Sequence, residues 1–201
     1  MSVYAYQITA DSGCDLSLEK CAERGVMPYK MPFTMDGKPM TDGMTEESFR
    51  EFYDLMRAGG IARTSQINPG EFTEFWRPLA EAGTPVLHIS LAAAAFGTAL
   101  NIVPIMHLDY EGHLEVWQKV RGDKQCFKKV IKDVQELVVD AAGQTLIVSE
   151  ADAPEKAREY GEALVRECGF RDVFYTHIGP IIGAHTGPGL ISIFFVGKER
   201  A

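Results

Sequence analysis

The chain has 201 residues, 46% of them hydrophobic, and carries 20 basic against 28 acidic side chains for a net charge of -8. Such a composition suits a globular protein with one sizeable core or two small ones. It argues against nucleic acid as a partner and against more than transient contact with an anionic membrane.

Taken in chain order, the first half reads as alternating strand and helix. "YAYQITADS" is an extended segment ending in a polar loop, "LSLEKCAERG" a short helix stopped by Gly25, and "VMPYKMPFTM" one further extended run. "DGKPMTDG" reads as loop by composition. "TEESFREFYDLMRAGG" is an amphipathic helix expected to bury Phe49, Phe52, Leu55 and Met56 on one face. In "ARTSQINPGEFTEFWRPLAEAG", Asn68 is placed to cap a helix with Pro69 at its first position and Glu71 at its third. The strand "VLHIS" follows. Alternation of this kind predicts a mostly parallel sheet flanked by helices.

Pro85 to Leu108 contains no Asp, Glu, Lys or Arg and has the length of a membrane span. Its histidines, Asn101, Gly97 and Pro104 fit a lone lipid-facing helix badly, so two buried strands joined by an Ala-rich turn are expected instead. The second half continues with a hairpin about Asp109 to Gly112, a helix over Lys124 to Ala142, the strand "TLIVSE", and a helix opened by Asp152 with Pro154 and Glu155 in its first turn. The strands "DVFYTHIG" and "LISIFFVG" flank a Gly-rich loop. Two lobes follow, 1–91 and 92–201. Without a basic and apolar leader, and with Cys14, Cys21, Cys126 and Cys168 scattered, the expectation is a reduced, cytoplasmic protein.

Ligands of open α/β sheets sit beyond the carboxyl ends of strands. Three polar loops answer to that position: "TADSGCD" with Asp11 and Ser12, "RTSQINPGE" with Thr64 and Ser65 ahead of a helix N-terminus, and "GAHTGPG" with His185. Hydroxyls and helix amides suit a carboxylate or phosphate. His185 reads equally as a ligand contact or as the occupant of a bend. A hydrolase using Ser65 or Ser12 with His185 lacks a GxSxG elbow, and His88, His107, His113, His177 and His185 form no HxxxH or HxH pair for a metal. Walker and GxGxxG motifs are missing, and no cofactor is expected.

Together, "ITADSGCDLSLEKCAERGVMPYKMPFTMDGKPMTDG", "FYDLMRAGGIARTSQINPGEF" and "IGPIIGAHTGPG" resemble the DegV family of bacterial fatty-acid-binding proteins. The resemblance extends through "GTALNIVPIMHLDYEGHLEVWQKVRG" and implies a two-lobed α/β fold, with a mostly parallel N-terminal sheet and a C-terminal α/β domain. It implies a long-chain fatty acid in an apolar tunnel between the lobes, its carboxylate held by Thr64, Ser65 and His185. Asp11, Ser12, Thr186 and Gly187 would be the supporting loop residues. The bound lipid would be presented to a dihydroxyacetone-kinase-like fatty acid kinase, with Arg121 facing that kinase or the acyl phosphate, and the carrier itself would not be the catalyst. The alternatives are a small serine/histidine hydrolase or acyl-transfer enzyme, and a degenerate scaffold without a functional pocket.

One departure stands out. After "VLHIS" the family pattern expects a second serine loop, further strand and helix, and a "GGR" segment; here "AAAAFGTALNIVPI" follows at once. A block of the N-terminal lobe is therefore expected to be absent, with a seam near Ser90 to Ala94, and the pocket to be more open or filled by a partner chain, with weaker fatty-acid binding.

Overall fold

The computed structural model describes residues 6–64, 69–89, 102–108 and 114–198. The chain divides into two compact units, Met1–Ala93 with His177–Pro188, and Ala94–Thr176 with Gly189–Ala201. Thus the Gly-rich segment with His185 packs with the N-terminal half, although it lies far along the chain.

In the first unit, β1 (Gln7–Asp11) lies between β2 (Val26–Tyr29) and β6 (Val86–Ile89), parallel to both. A 3-10 turn at Ser12–Cys14 and helix α1 (Leu18–Glu23) connect β1 to β2. The run 26–35, read as one extended piece, is two strands in different sheets, because β3 (Pro32–Met35) pairs antiparallel with β4 (Lys38–Thr41) and β5 (Ala62–Thr64). The segment 36–43, read as loop, thus contains a strand. Asp36 (φ 51°) and Gly37 (φ 76°) turn the chain in two residues, since both accept the positive φ that a tight hairpin needs. Pro39, which cannot donate to a ladder, sits on the edge strand β4 where that costs least.

Helix α2 (Glu46–Arg57) starts on Thr45 and Ser48, which bond each other's backbone amides in a reciprocal cap. It buries Phe49, Phe52 and Tyr53, while Leu55, expected on the buried face, is exposed. The apolar stripe runs i, i+3, i+4 from Phe49, which takes in Tyr53 and turns Leu55 outward. Phe52 packs edge-on against Phe33 at 5.5 Å and Tyr53 at 5.0 Å between ring centroids. Helix α3 (Pro69–Glu81) follows β5; its expected cap, Asn68, lies outside the described residues.

α3 is tied to the parallel sheet by a polar relay. Trp76 Nε1 donates to Thr9 Oγ1 at 3.3 Å, and Thr9 Oγ1 lies 2.9 Å from His88 Nδ1. The indole can only donate, so the Thr9 hydroxyl oxygen accepts from it. Phe72 and Trp76 pack edge-on against the imidazole. Strand β6 was expected to be buried; instead Val86, Leu87 and Ile89 are 37%, 50% and 54% exposed.

In the second unit, β7 (Ile102–Leu108) and β8 (Leu114–Arg121) form the expected antiparallel hairpin, with a register shift between Ile105 and Met106. Its turn lies outside the described residues, as does the stretch 90–101 that holds the expected seam. Helix α4 (Asp123–Leu137) ends sooner than expected, the chain turning extended at Val138 and then forming a short 3-10 turn at Ala141–Gly143. Strands β10 (Asp172–His177), β9 (Thr145–Glu150) and β11 (Ile191–Phe194) form a sheet in that order, with β11 antiparallel to β9. Helix α5 (Pro154–Cys168) is capped not by Asp152, which adopts a left-handed φ of 52°, but at Ala153, whose amide donates to Glu150 Oε2 at 2.5 Å. The core gathers Ile131 and Val134 of α4, Leu146 and Val148 of β9, Ala157, Ala163 and Leu164 of α5, and Phe170.

Among the described residues, no helix is long and apolar enough to cross a membrane.

Candidate functional site

The Gly-rich segment is not a loop throughout: Pro180–Thr186 forms a short helix, α6, with Pro180 at its start and Gly187 (φ 73°) at its end. Proline suits the first helical position because its missing N–H would be unpaired there, and the glycine takes the backbone conformation that stops the helix. α6 belongs to the first unit for a steric reason. A methyl group at Gly183 would lie 2.5 Å from the Tyr53 hydroxyl oxygen and 3.0 Å from Phe52 Cε1, so only glycine lets the helix approach α2 this closely. The buried Tyr53 hydroxyl then donates to the Ile178 carbonyl at 2.8 Å.

This docking sets His185, in the last turn of α6, beside the end of β5. Thr64 Oγ1 and His185 Nε2 are 2.8 Å apart, both residues being half-buried. Two of the sequence-derived candidates, 121 positions apart in the chain, therefore meet. Ser65 lies outside the described residues. Thr186 Oγ1 donates to the Ile182 carbonyl at 3.2 Å, and the Gly187 amide to the Gly183 carbonyl at 2.8 Å, so both close the helix end.

The "TADSGCD" loop is built inward. Asp11 is buried at the N-cap of the 3-10 turn and accepts from the Gly13 amide at 2.9 Å. Ser12 is buried as well; its hydroxyl oxygen accepts from the Met31 amide at 3.1 Å and its side chain bonds Asp42. Through the bond from Met31 the Ser12 hydroxyl oxygen serves the loop. Arg121 ends β8 in the second unit, with its side chain exposed.

Sequence reasoning passed over two residues that hold this arrangement together. Asp15 Oδ1 accepts from the Gly179 amide at 2.8 Å, joining the first loop to the start of α6. Asp42 accepts from the Met44 amide at 2.9 Å and is itself fully buried. Burial holds the Asp15 carboxyl well above the usual carboxylate range, and the neighbouring Asp42 and Asp11 push the same way against the Gly179 amide. Burial also raises Asp42, opposed by its bonds to Met44 and Ser12 and by Lys30. A methyl at Gly179 would lie 3.2 Å from Phe49 Cε1, 3.3 Å from Asp15 Oδ1 and 3.4 Å from Asp42 Oδ2. The aspartates' spacing carries no periodic signal; only the left-handed φ of Asp15 (56°), a conformation Asp tolerates, ties the residue type to its place. Nearby, burial pushes the Cys14 thiol up to about 11, which keeps it protonated near neutrality.

Among the described residues, no group of three or more His, Cys, Asp or Glu side chains is placed to hold a metal ion. What the geometry offers is a hydroxyl at the end of β5 beside an imidazole in the last turn of α6. Such a pair can relay or share a proton and can donate to an anionic oxygen.

This chain is similar in sequence and in fold to known proteins. A DegV domain-containing protein of Clostridium perfringens is 31% identical over 112 residues, which make up 56% of this chain and 38% of that protein. A DegV domain-containing protein of Streptococcus pneumoniae is 36% identical over 109 residues, 54% of this chain and 38% of the relative. The matched stretch thus spans well under half the length of these curated relatives. Among solved structures, a DegV lipid binding protein from Thermotoga maritima superposes with a TM-score of 0.77 at 17% identity, covering 98% of this chain and 99% of that one. DegV from Bacillus subtilis, described as a fatty acid binding protein, gives 0.76 at 14% identity, covering 94% and 97%. A stearic acid-binding protein from Eubacterium ventriosum gives 0.75 at 14% identity, with the same coverage. At these identities the superpositions establish a shared α/β fold. The family model described as uncharacterised protein, DegV family, matches in two pieces, residues 5–93 and 88–198, which meet at the end of β6. With nearly the whole chain matched in sequence and the same fold in the solved relatives, the protein is a member of the DegV family.

Proposed function

We propose that the protein binds a long-chain fatty acid as a carrier, with the carboxylate held at Thr64 and His185, and presents it to a fatty acid kinase that phosphorylates that carboxylate. The observation that carries this reading is the 2.8 Å contact between Thr64 Oγ1 and His185 Nε2, made by two ordered segments far apart in the chain. With Nε2 carrying a proton, Nε2–H donates to Thr64 Oγ1 and the threonine hydroxyl is left to donate to a carboxylate oxygen, so the imidazole backs the anion through one relay. A carboxylate drawn out of water needs such donors. The acyl chain supplies most of the affinity, at about 0.8 kcal/mol per buried methylene. Membership of a family with solved fatty-acid-binding members supports the choice of ligand.

The test is uptake of oleate and palmitate by the delipidated protein, followed by native mass spectrometry and calorimetry, alongside Thr64→Val and His185→Ala. A hydrogen bond to a charged group contributes about 1.5–3 kcal/mol, so each variant should bind roughly 10- to 100-fold more weakly while folding normally. Phosphorylation of bound oleate by a dihydroxyacetone-kinase-like fatty acid kinase and ATP, and not of oleate alone, is the expected result for the carrier role. Failure of the intact protein to take up either acid would overturn the reading.

A further inference from the structure

Gly179, which opens α6, lies between two acids. Asp15 of the first loop accepts from its amide through Oδ1 at 2.8 Å. Asp42 reaches the same spot from the segment after β4: a methyl at Gly179 would stand 3.3 Å from Asp15 Oδ1 and 3.4 Å from Asp42 Oδ2. Asp42 is fully buried and fixed in place, its amide donating to the Met31 carbonyl at 3.0 Å and its Oδ1 accepting from the Met44 amide at 2.9 Å. Yet its Oδ2 is buried with no hydrogen-bond partner among the described residues. A buried carboxylate oxygen without a donor is costly, and an orphan of this kind in a folded protein calls for an explanation.

A proton supplies the missing donor. Two carboxyl groups on one buried site do not both ionise readily, so one of them keeps its proton well past the ordinary carboxylate range. We propose that Asp15 and Asp42 share one proton beside Gly179, and that its loss in base loosens α6 and parts His185 from Thr64. When that O–H bond breaks, the proton passes to water and two anions are left flanking Gly179. Their repulsion acts on the two segments between which the helix starts. Gly179, as the N-cap, has no side chain to cap the helix, and its surroundings hold this end through the Asp15 bond to its amide and the Tyr53 bond to the Ile178 carbonyl. His185 sits in the last turn of the same seven-residue helix, so a shift at its start carries to the 2.8 Å contact with Thr64.

The groups around the pair favour a retained proton. Asp11, at the end of β1, adds negative charge that opposes ionisation of Asp15. Lys30 is a cation that acts on Asp42, but it is exposed, with Nζ donating to the Gly43 carbonyl at 3.4 Å. Burial raises the thiols of Cys14 in the 3-10 turn and Cys21 in α1, so both stay neutral near neutral pH. On α2, Tyr53 gives its proton to Ile178, and Phe49 stands 6.2 Å from the ring of His177, which lies 3.7 Å from Glu46. Among these groups there is no buried cation to neutralise a second anion. The device does not depend on lipid: a chain that shares this proton but takes up no fatty acid sinks the carrier reading alone.

Carboxyl carbon and amide nitrogen NMR on the intact, ligand-free protein, from about pH 4 to about pH 9, spans ordinary and strongly raised carboxyl groups. The expected result is that Asp15 and Asp42 titrate together in two steps, with one proton still held at neutral pH. The upper step should shift the amide signals of Gly179 and of Gly183, which donates to the Gly179 carbonyl at 2.9 Å, and weaken the Overhauser contact between Thr64 and His185. Asp42→Asn and Asp15→Asn each offer a permanent N–H donor in place of the shared proton, so in either variant the α6 signals should hold steady in base. Circular dichroism identifies whether each variant folds; should one unfold, the other and the wild-type titration decide. Two carboxyls both ionised at neutral pH, α6 signals indifferent to the upper step, or a folded asparagine variant whose α6 amides respond to base as the wild type's do would each overturn the proposal.

Discussion

The fit of α6 onto α2 can be tested by a double-mutant cycle at Gly183 and Tyr53. In Gly183→Ala the new methyl would stand 2.5 Å from the Tyr53 hydroxyl oxygen and 3.0 Å from Phe52 Cε1. The hydroxyl cannot swing aside without losing its 2.8 Å bond to the Ile178 carbonyl. Overpacking of this kind costs about 1–3 kcal/mol, against a gain of about 0.5–1 kcal/mol from replacing a helical glycine, leaving a net loss of up to about 2.5 kcal/mol. Tyr53→Phe removes the hydroxyl, leaves a buried carbonyl unpaired, and costs about 1–3 kcal/mol. It also removes the atom that the methyl strikes most closely. The double variant should therefore be more stable than the sum of the single losses predicts, by about 1 kcal/mol, within the range seen for residues in contact. Urea unfolding of the four proteins measures the cycle, provided the transitions are two-state. Strict additivity, or a Gly183→Ala protein as stable as wild type, would show that α6 does not rest on Tyr53 as described.

Two further outcomes are expected. Asp15 has a folded pKa above its unfolded value, so the stability it contributes is fully present below the ordinary carboxylate pKa near 3.9 and is lost as pH rises through the raised folded value. Asp15→Asn keeps an oxygen to accept from Gly179 but has no charge to bury; its melting temperature should exceed that of wild type at neutral pH, with the gap closing below about pH 4, and a gap that does not vary with pH would count against the buried-acid account. In the second unit, Glu150→Ala removes the acceptor for the Ala153 amide that starts α5, and a loss of about 1 kcal/mol in urea unfolding is expected, with much of it restored by Glu150→Gln.

The local chemistry of this chain was largely written in its sequence. Hydrophobic period marks α2 and β9, Gly25 the end of α1 and Pro154 the start of α5, because those signals act within a few residues, and the motifs around Asp11, Thr64 and His185 identify the family. Where sequence reading slipped, longer-range forces decided. The segment 36–43 looks like loop by composition, yet the Asp36-Gly37 turn and a partner strand at 32–35 make Lys38–Thr41 a strand. "IGPIIGAHTGPG" looks like a bend from its glycines, yet Gly183 and Gly187 serve a helix: the first permits contact with Tyr53 and Phe52, the second ends it. Leu55 reads as core from its place beside Phe49, Phe52 and Met56 in the helical pattern, but the direction of the stripe on α2 is fixed by what Phe49, Phe52 and Tyr53 meet.

Asp15 and Asp42 show the limit most plainly. Nothing in the sequence relates Asp15 to Gly179, 164 positions away, or predicts that its carboxyl will be protonated more readily than one in water. Only the tertiary structure removes the solvent and supplies the amide. The sequence by itself determined which residues carry hydroxyl, imidazole and carboxyl groups, and which family arranges them so. The folded chain decided which of those groups touch, because a side chain's partner and its access to water depend on neighbours that the local sequence does not contain.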